Sequence, residues 1–175
     1  TPFAVLGHPI GHSLSPVMHN ASLRALGRDA VYLAFDVHPD RLMPVLAAMR
    51  DMGFRGINLT VPLKEVAFRG LDDLEPSARL TGSVNTVECR PDGTLRGHST
   101  DGEGCVRALR EAFGCGPAER RVFLFGCGGA GRAVALTLAR RGAASIAMTD
   151  LDAGRAERLA ADIRDAAPDM PVTPC

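Results

Sequence analysis

The residues best grouped for chemistry are Gly126-Cys127-Gly128-Gly129-Ala130-Gly131, which fit G-x-G-x-x-G with glycines at 126, 128 and 131. An apolar strand pattern, Val122–Phe125, precedes them and a helical pattern, Arg132–Arg141, follows. In that setting the glycines permit a tight turn and close backbone approach, and the helix N-terminus offers N–H groups to a pyrophosphate. Gly126, Gly128, Gly129, Ala130 and Gly131 are therefore candidate cofactor-binding positions. A turn that uses glycine only for its conformational freedom is the alternative. Asp150 follows Gly131 by nineteen positions, at the end of the next strand pattern, where an acid accepts hydrogen bonds from the adenosine ribose. A carboxylate there repels a 2′-phosphate, so NAD is favoured over NADP. Asp150 or Asp152 could instead cap the next helix, and Arg155 lies close enough to affect the cofactor choice. A methyltransferase using S-adenosylmethionine also combines a strand, a glycine turn, a helix and an acid, but it explains nothing in residues 1–110.

Other polar clusters stand where strand patterns end, the place at which open α/β sheets bind ligands. They are Gly7–Pro16, Gly56–Glu65, Gly82–Thr86 and Ser99–Gly102. Each has a plainer reading. Ser15 before Pro16 suits a helix N-cap, Asp101 suits the cap of the helix after it, and Ser13, Asn58, Thr60 and Asn85 could satisfy nearby backbone. A lone lysine such as Lys64 is ordinarily a solvated surface charge. His8 and His12 are four apart, but Pro9 and Gly11 break the helix that would align them, and no metal site is predicted.

The elements that must position these residues follow from the pattern of the whole chain. Its 175 residues are 46% hydrophobic and 23% charged, as expected of a globular protein, with 20 basic residues balancing 20 acidic ones. A neutral chain with one Tyr and no Trp lacks both the electrostatic footprint and the stacking platform of a nucleic-acid binder. No apolar run is long enough to span a bilayer, and the start of the sequence has no signal-peptide pattern. Five cysteines without C-x-x-C spacing argue against a disulfide framework or a zinc site and predict a reducing, cytoplasmic setting.

Apolar runs alternate with helical periods, predicting α/β architecture and a largely parallel sheet covered on both faces. Strands are expected at Ala4–Leu6, Val31–Val37 and Ile57–Val61, and helices at Ser15–Leu26 and Arg41–Met52. A short helical stretch follows over Glu65–Leu80, divided by Pro76. Pro91-Asp92-Gly93 marks a hairpin between Val84–Cys89 and Thr94–Arg96, and Gly102–Phe113 reads as a helix. The best boundary is Gly114–Arg120, giving domains at 1–113 and 114–175. The second restarts as strand, turn, helix, Ser145–Thr149 strand and Arg155–Ala166 helix, with one more strand at most near Val172. A dinucleotide fold has two such halves, so the chain reads as part of a longer protein.

The four polar clusters, in this order and spacing and followed by the glycine turn, closely resemble the shikimate dehydrogenase family, including its quinate/shikimate members. The resemblance covers the whole chain. It implies a mixed-sheet substrate domain followed by a Rossmann domain, here incomplete, with the active site in the cleft between them. The implied reaction, in the shikimate pathway to aromatic amino acids, is reversible hydride transfer between a nicotinamide and shikimate or 3-dehydroshikimate. Quinate is a further candidate substrate. By resemblance Ser13 and Ser15 hold the substrate carboxylate, and Asn58, Thr60 and Asn85 bond the ring hydroxyls. Lys64 and Asp101 are the catalytic pair. A non-catalytic ligand sensor on the same scaffold is the competing reading. Two departures stand out. Ser99 replaces the asparagine of the usual Asn-Thr-Asp-Gly, and Asp150-Leu151-Asp152 replaces the Asn-Arg-Thr of NADP-using members, resembling the NAD-using branch. The remaining third of the family pattern would supply the nicotinamide pocket.

Overall fold

Period-two alternation builds the first sheet. In Pro2–Gly7 (β1), Ala4 and Leu6 enter one core while Val5 enters another on the opposite face. The structure, a computed structural model, describes residues 1–175. It divides into two units, Thr1–Arg79 with Ser83–Ser99 and Leu80–Gly82 with Thr100–Cys175.

In the first unit β1 is followed by α1 (Ser15–Ala25), β2 (Val31–Asp36), α2 (Leu42–Asp51), β3 (Gly56–Leu59) and α3 (Leu63–Gly70). Next come β4 (Asp73–Leu74), α4 (Pro76–Thr81, which runs into the second unit), β5 (Thr86–Cys89) and β6 (Leu95–His98). The strand order is β2-β1-β3-β5-β6-β4. One face buries Ala4, Leu6, Ile57 and Leu59 against Leu42, Leu46 and Met49 of α2 and Leu63 and Ala67 of α3. The other packs Phe3, Val5, Ile10 and Tyr32 against Leu23 of α1. Both faces are covered as expected, and the sheet is mixed, as the family resemblance implies, rather than largely parallel as the alternation alone suggests. β1 runs parallel to β2 and β3, whereas β5 is antiparallel to both β3 and β6. The hairpin forces the β5–β6 direction. Gly93, at φ +85, donates to Arg90, and the Asp92 carboxylate accepts from the Thr94 N–H and hydroxyl. The helical stretch expected over 65–80 is likewise interrupted by β4, which pairs with β6. Glu75 then accepts from the Ser77 N–H and starts α4 at Pro76.

The second unit continues with α5 (Asp101–Phe113), β7 (Arg121–Phe125), α6 (Gly129–Arg140), β8 (Ser145–Thr149), α7 (Ala153–Ala166) and β9 (Val172–Pro174). Its three strands are all parallel, ordered β7-β8-β9. Leu136, Ile146, Met148, Leu159 and Ile163 form its core. The structural division falls before α5 rather than at 113/114, because α5 packs on α6. Gly102 permits that approach: a Cβ there would stand 2.0 Å from the Thr137 hydroxyl oxygen and 2.7 Å from the Ala133 carbonyl oxygen. No helix is long and apolar enough to cross a membrane.

Gly102→Ala is expected to destabilise the chain by about 1–3 kcal/mol through overpacking, read by urea unfolding. Adding Thr137→Ala should recover only part of the loss, since the backbone carbonyl remains.

Candidate functional site

β1 and β3 lie side by side and their following turns meet. His8–Pro9 and Val61–Pro62 are cis peptides. The His8 N–H donates to the Val61 carbonyl at 3.1 Å, and the Thr60 N–H to Leu6 at 2.9 Å. Only glycine fits at position 7, where a Cβ would lie 2.6 Å from the Thr60 methyl and 2.8 Å from Ile10. The first turn leads to Ser13 and Ser15, both half-buried. Ser15 is the first residue of α1 rather than its side-chain cap; its N–H bonds the Ser13 hydroxyl at 3.3 Å.

The second turn closes with the Leu63 N–H on the Thr60 carbonyl, and places half-buried Lys64 in the first turn of α3. The Lys64 carbonyl accepts from Val84 at 3.1 Å, and the Asn85 carbonyl accepts from Leu59 at 2.8 Å. Asn58, Thr60, Lys64 and Asn85 thus gather at one end of the sheet, on the end of β3, its turn and the start of the antiparallel β5.

Sequence reasoning missed Tyr32, which is buried on β2 and donates its hydroxyl to Asn58 Oδ1 at 2.6 Å. Asn58 Nδ2 donates to the Asn85 carbonyl at 3.3 Å and to the Thr86 hydroxyl at 3.0 Å. The His19 ring stacks on Tyr32 with centroids 4.3 Å apart, and the Asn20 carboxamide pairs with the Tyr32 backbone N–H and carbonyl. The signal was available: a lone tyrosine in an apolar strand needs a partner for its hydroxyl. Burial pushes the phenol up to about 12.

At the end of β2, Asp36 accepts from Ile10 N–H and lies 2.5 Å from His8 Nδ1, and these bonds, that to His8 foremost, hold its carboxyl below the usual range. No three His, Cys, Asp or Glu side chains are grouped to hold a metal ion. The five cysteines are free thiols.

Ser99 lies buried; its N–H donates to the Ser77 hydroxyl oxygen at 3.1 Å, while the Ser99 hydroxyl itself has no partner. In the second unit Asp101 is the first residue of α5, with Thr100 at the cap position.

The glycine turn has Gly126 at φ +91, and a Cβ on Gly131 would stand 1.9 Å from the Gly126 carbonyl oxygen. Gly128 caps α6, whose first-turn N–H groups have no acceptor within the helix. Asp150 accepts from the Cys127 N–H at 2.6 Å and the Asp152 N–H at 2.9 Å, and these backbone donors lower its pKa. The α7 cap is Asp152, bonded to the Gly154 N–H, so Asp150 is not the capping group. Arg155 is exposed and sits 3.6 Å from Asp152. The close backbone approach within the turn, the free first-turn donors and the adjacent carboxylate suit the pyrophosphate and ribose of a dinucleotide.

Residues 5–87 match the family described as "Shikimate dehydrogenase substrate binding domain". The chain is 47% identical over 169 residues to a protein of Moorella thermoacetica named shikimate dehydrogenase (NADP(+)), covering 97% of this chain and 57% of the relative. A Listeria monocytogenes shikimate 5-dehydrogenase, solved in complex with shikimate and NAD, superposes with TM-score 0.88 at 38% identity, covering 98% of this chain and 60% of that one. Quinate dehydrogenase from Corynebacterium glutamicum, solved in complex with NAD, gives TM-score 0.85 at 32% identity, over 98% and 62% of the two chains. The chain spans about half the length of the curated relatives it matches.

Tyr32 is the only tyrosine and there is no tryptophan, so tyrosinate absorbance near 295 nm reports this residue alone. Its alkaline midpoint is expected near 12 rather than 10. Because the folded value is raised, the stabilisation from neutral, buried Tyr32 is complete below about pH 10 and disappears as pH rises through the folded value. A midpoint near 10 in the folded chain would contradict the burial of its hydroxyl.

Proposed function

We propose, from the premise that residues 5–87 belong to the family of shikimate dehydrogenase substrate-binding domains, that the chain serves reversible, nicotinamide-dependent oxidation of shikimate to 3-dehydroshikimate. The observation that carries this reading is the gathering of Asn58, Thr60, Lys64 and Asn85 at one end of the first sheet, beside the turn leading to Ser13 and Ser15. These groups supply hydroxyl donors for a carboxylate, amide and hydroxyl partners for ring hydroxyls, and one ammonium. Asn58 contributes as an acceptor, because its Nδ2 already donates to Asn85 and Thr86.

When bound at the glycine turn, the nicotinamide dinucleotide accepts or gives the hydride. The Lys64 ammonium stabilises developing charge on the substrate oxygen and gives its proton on reduction; the neutral amine takes one on oxidation. Asp101 accepts a hydrogen bond from a substrate hydroxyl and so orients the ring. Ser13 and Ser15 hold the substrate carboxylate through their hydroxyls.

For the cofactor, Gly126, Gly128, Gly129, Ala130 and Gly131 seat the pyrophosphate and Asp150 meets the ribose. The curated relatives carry NADP(+) in their names. Against a 2′-phosphate stands the Asp150 carboxylate, which backbone donors keep ionised. The preferred cofactor is therefore NAD, with Arg155 adjusting rather than reversing the choice.

Calorimetric titration should show shikimate binding and NAD binding about tenfold tighter than NADP, about 1.4 kcal/mol. Tighter NADP binding would overturn the cofactor assignment alone. Initial rates of cofactor reduction with shikimate and with quinate test the substrate. Lys64→Ala should cut turnover by roughly 10²- to 10⁴-fold while shikimate affinity stays nearly unchanged. Undiminished turnover would remove Lys64 from the chemistry.

A further inference from the structure

The hydrogen bonds around Asn58 have only one consistent direction. The Asn85 main-chain carbonyl can only accept, so the Asn58 atom 3.3 Å from it must be the amide nitrogen. Asn58 Oδ1 therefore faces Tyr32, and the phenol must donate to it at 2.6 Å. The same Asn58 nitrogen donates to the Thr86 hydroxyl at 3.0 Å. Thr86 is thereby engaged as an acceptor, and its own proton is directed to Asn85 Oδ1 at 3.2 Å. With its oxygen held on Thr86, the opposite end of the Asn85 carboxamide is its NH2 donor.

We infer that Tyr32 is a positioning residue: acting through Asn58 and Thr86, its hydroxyl fixes the Asn85 carboxamide with its donor end toward a substrate hydroxyl. The ligand half of this inference rests on the reading of Asn85 given above. Tyr32 suits the task because its own position is fixed from several sides. Val5 and Ile10 pack with it, His19 stacks on its ring, and Asn20 pairs with its backbone on both sides of the peptide. Its raised pKa keeps the hydroxyl a donor through the whole range in which the protein would work. Thr86 reinforces the alignment from the ladder, where it stands directly opposite Asn58.

The test uses the ¹⁵N-labelled chain, with the Asn85 side-chain NH2 resonances assigned by their disappearance in Asn85→Asp. Tyr32→Phe removes one oxygen and leaves the packed ring. It should shift or broaden the Asn85 NH2 pair, although the Tyr32 hydroxyl bonds Asn58 and not Asn85, while the backbone amides of Val84–Val87 stay in place. Shikimate affinity should fall about three- to tenfold, the effect of roughly one hydrogen bond. Thr86→Val should do the same, Thr86→Ser should restore the parent behaviour, and the double variant should bind no more than about twofold worse than the weaker single variant, as expected of residues acting in series. Unmoved Asn85 resonances in Tyr32→Phe, or losses that multiply in the double variant, would overturn the relay. Absence of shikimate binding by the parent chain would instead overturn the proposed function and the ligand half of the inference, and the resonances would still decide the relay.

Discussion

Everything at the ligand end of the first sheet depends on how two backbones leave it together. When adjacent parallel strands end, their polar groups lose ladder partners and must find others. Here the turns after β1 and β3 satisfy one another, with His8 bonded to Val61 and Thr60 to Leu6, and the missing side chain of Gly7 gives Thr60 and Ile10 the room to close in. Fixing those turns fixes the starts of α1 and α3, and with them Ser15 and Lys64. A side chain at position 7 would separate the turns, so its cost would appear in the site before it appeared in the core.

The two units use the same device at the end of a second strand. Asp36 ends β2 and accepts an N–H from Ile10, in the turn after β1; Asp150 follows β8 and accepts an N–H from Cys127, in the turn after β7. In both, a carboxylate from one strand clamps the turn leaving its neighbour. Both acids are shifted downward, Asp36 chiefly by His8 and Asp150 chiefly by Cys127. Their contribution to stability is present above the unfolded carboxylate value, near 3.9, and is lost as pH falls through the lower folded value. Mildly acidic solution therefore leaves both clamps intact.

Much of this was legible in the sequence because local chemistry dictates it. Gly27 and Gly53, which directly follow the helices expected to end at Leu26 and Met52, and Gly114, which opens the expected boundary segment, occupy positive φ; Gly93 makes the hairpin turn; the glycines at 126 and 131 meet the close approach their spacing suggested. What was not legible depends on partners distant in sequence. Alternation marks a strand but not its direction, so β5 was not seen to oppose β3. The helical period of α5 did not disclose that Gly102 would lie against Thr137. Tyr32 looked like strand filler because its hydroxyl partner, Asn58, lies on a strand two places across the sheet. Asp150 reads in the sequence as a ribose acceptor or a helix cap, and its bond to Cys127 shows a structural task that neither reading contains.

The short segment Leu80–Gly82 has a consequence for how this architecture can be rearranged. Although flanked by residues of the first unit, it belongs to the second, where Leu80 packs on the core and the Thr81 carbonyl accepts from Arg132. The units are therefore interleaved along the chain rather than successive. A gene cut at position 99 would give one half a surplus three-residue graft and deprive the other of a core residue and an arginine's partner. Recombination that respects the fold must transfer those three residues with α5, which ordinary shuffling at a single junction cannot do.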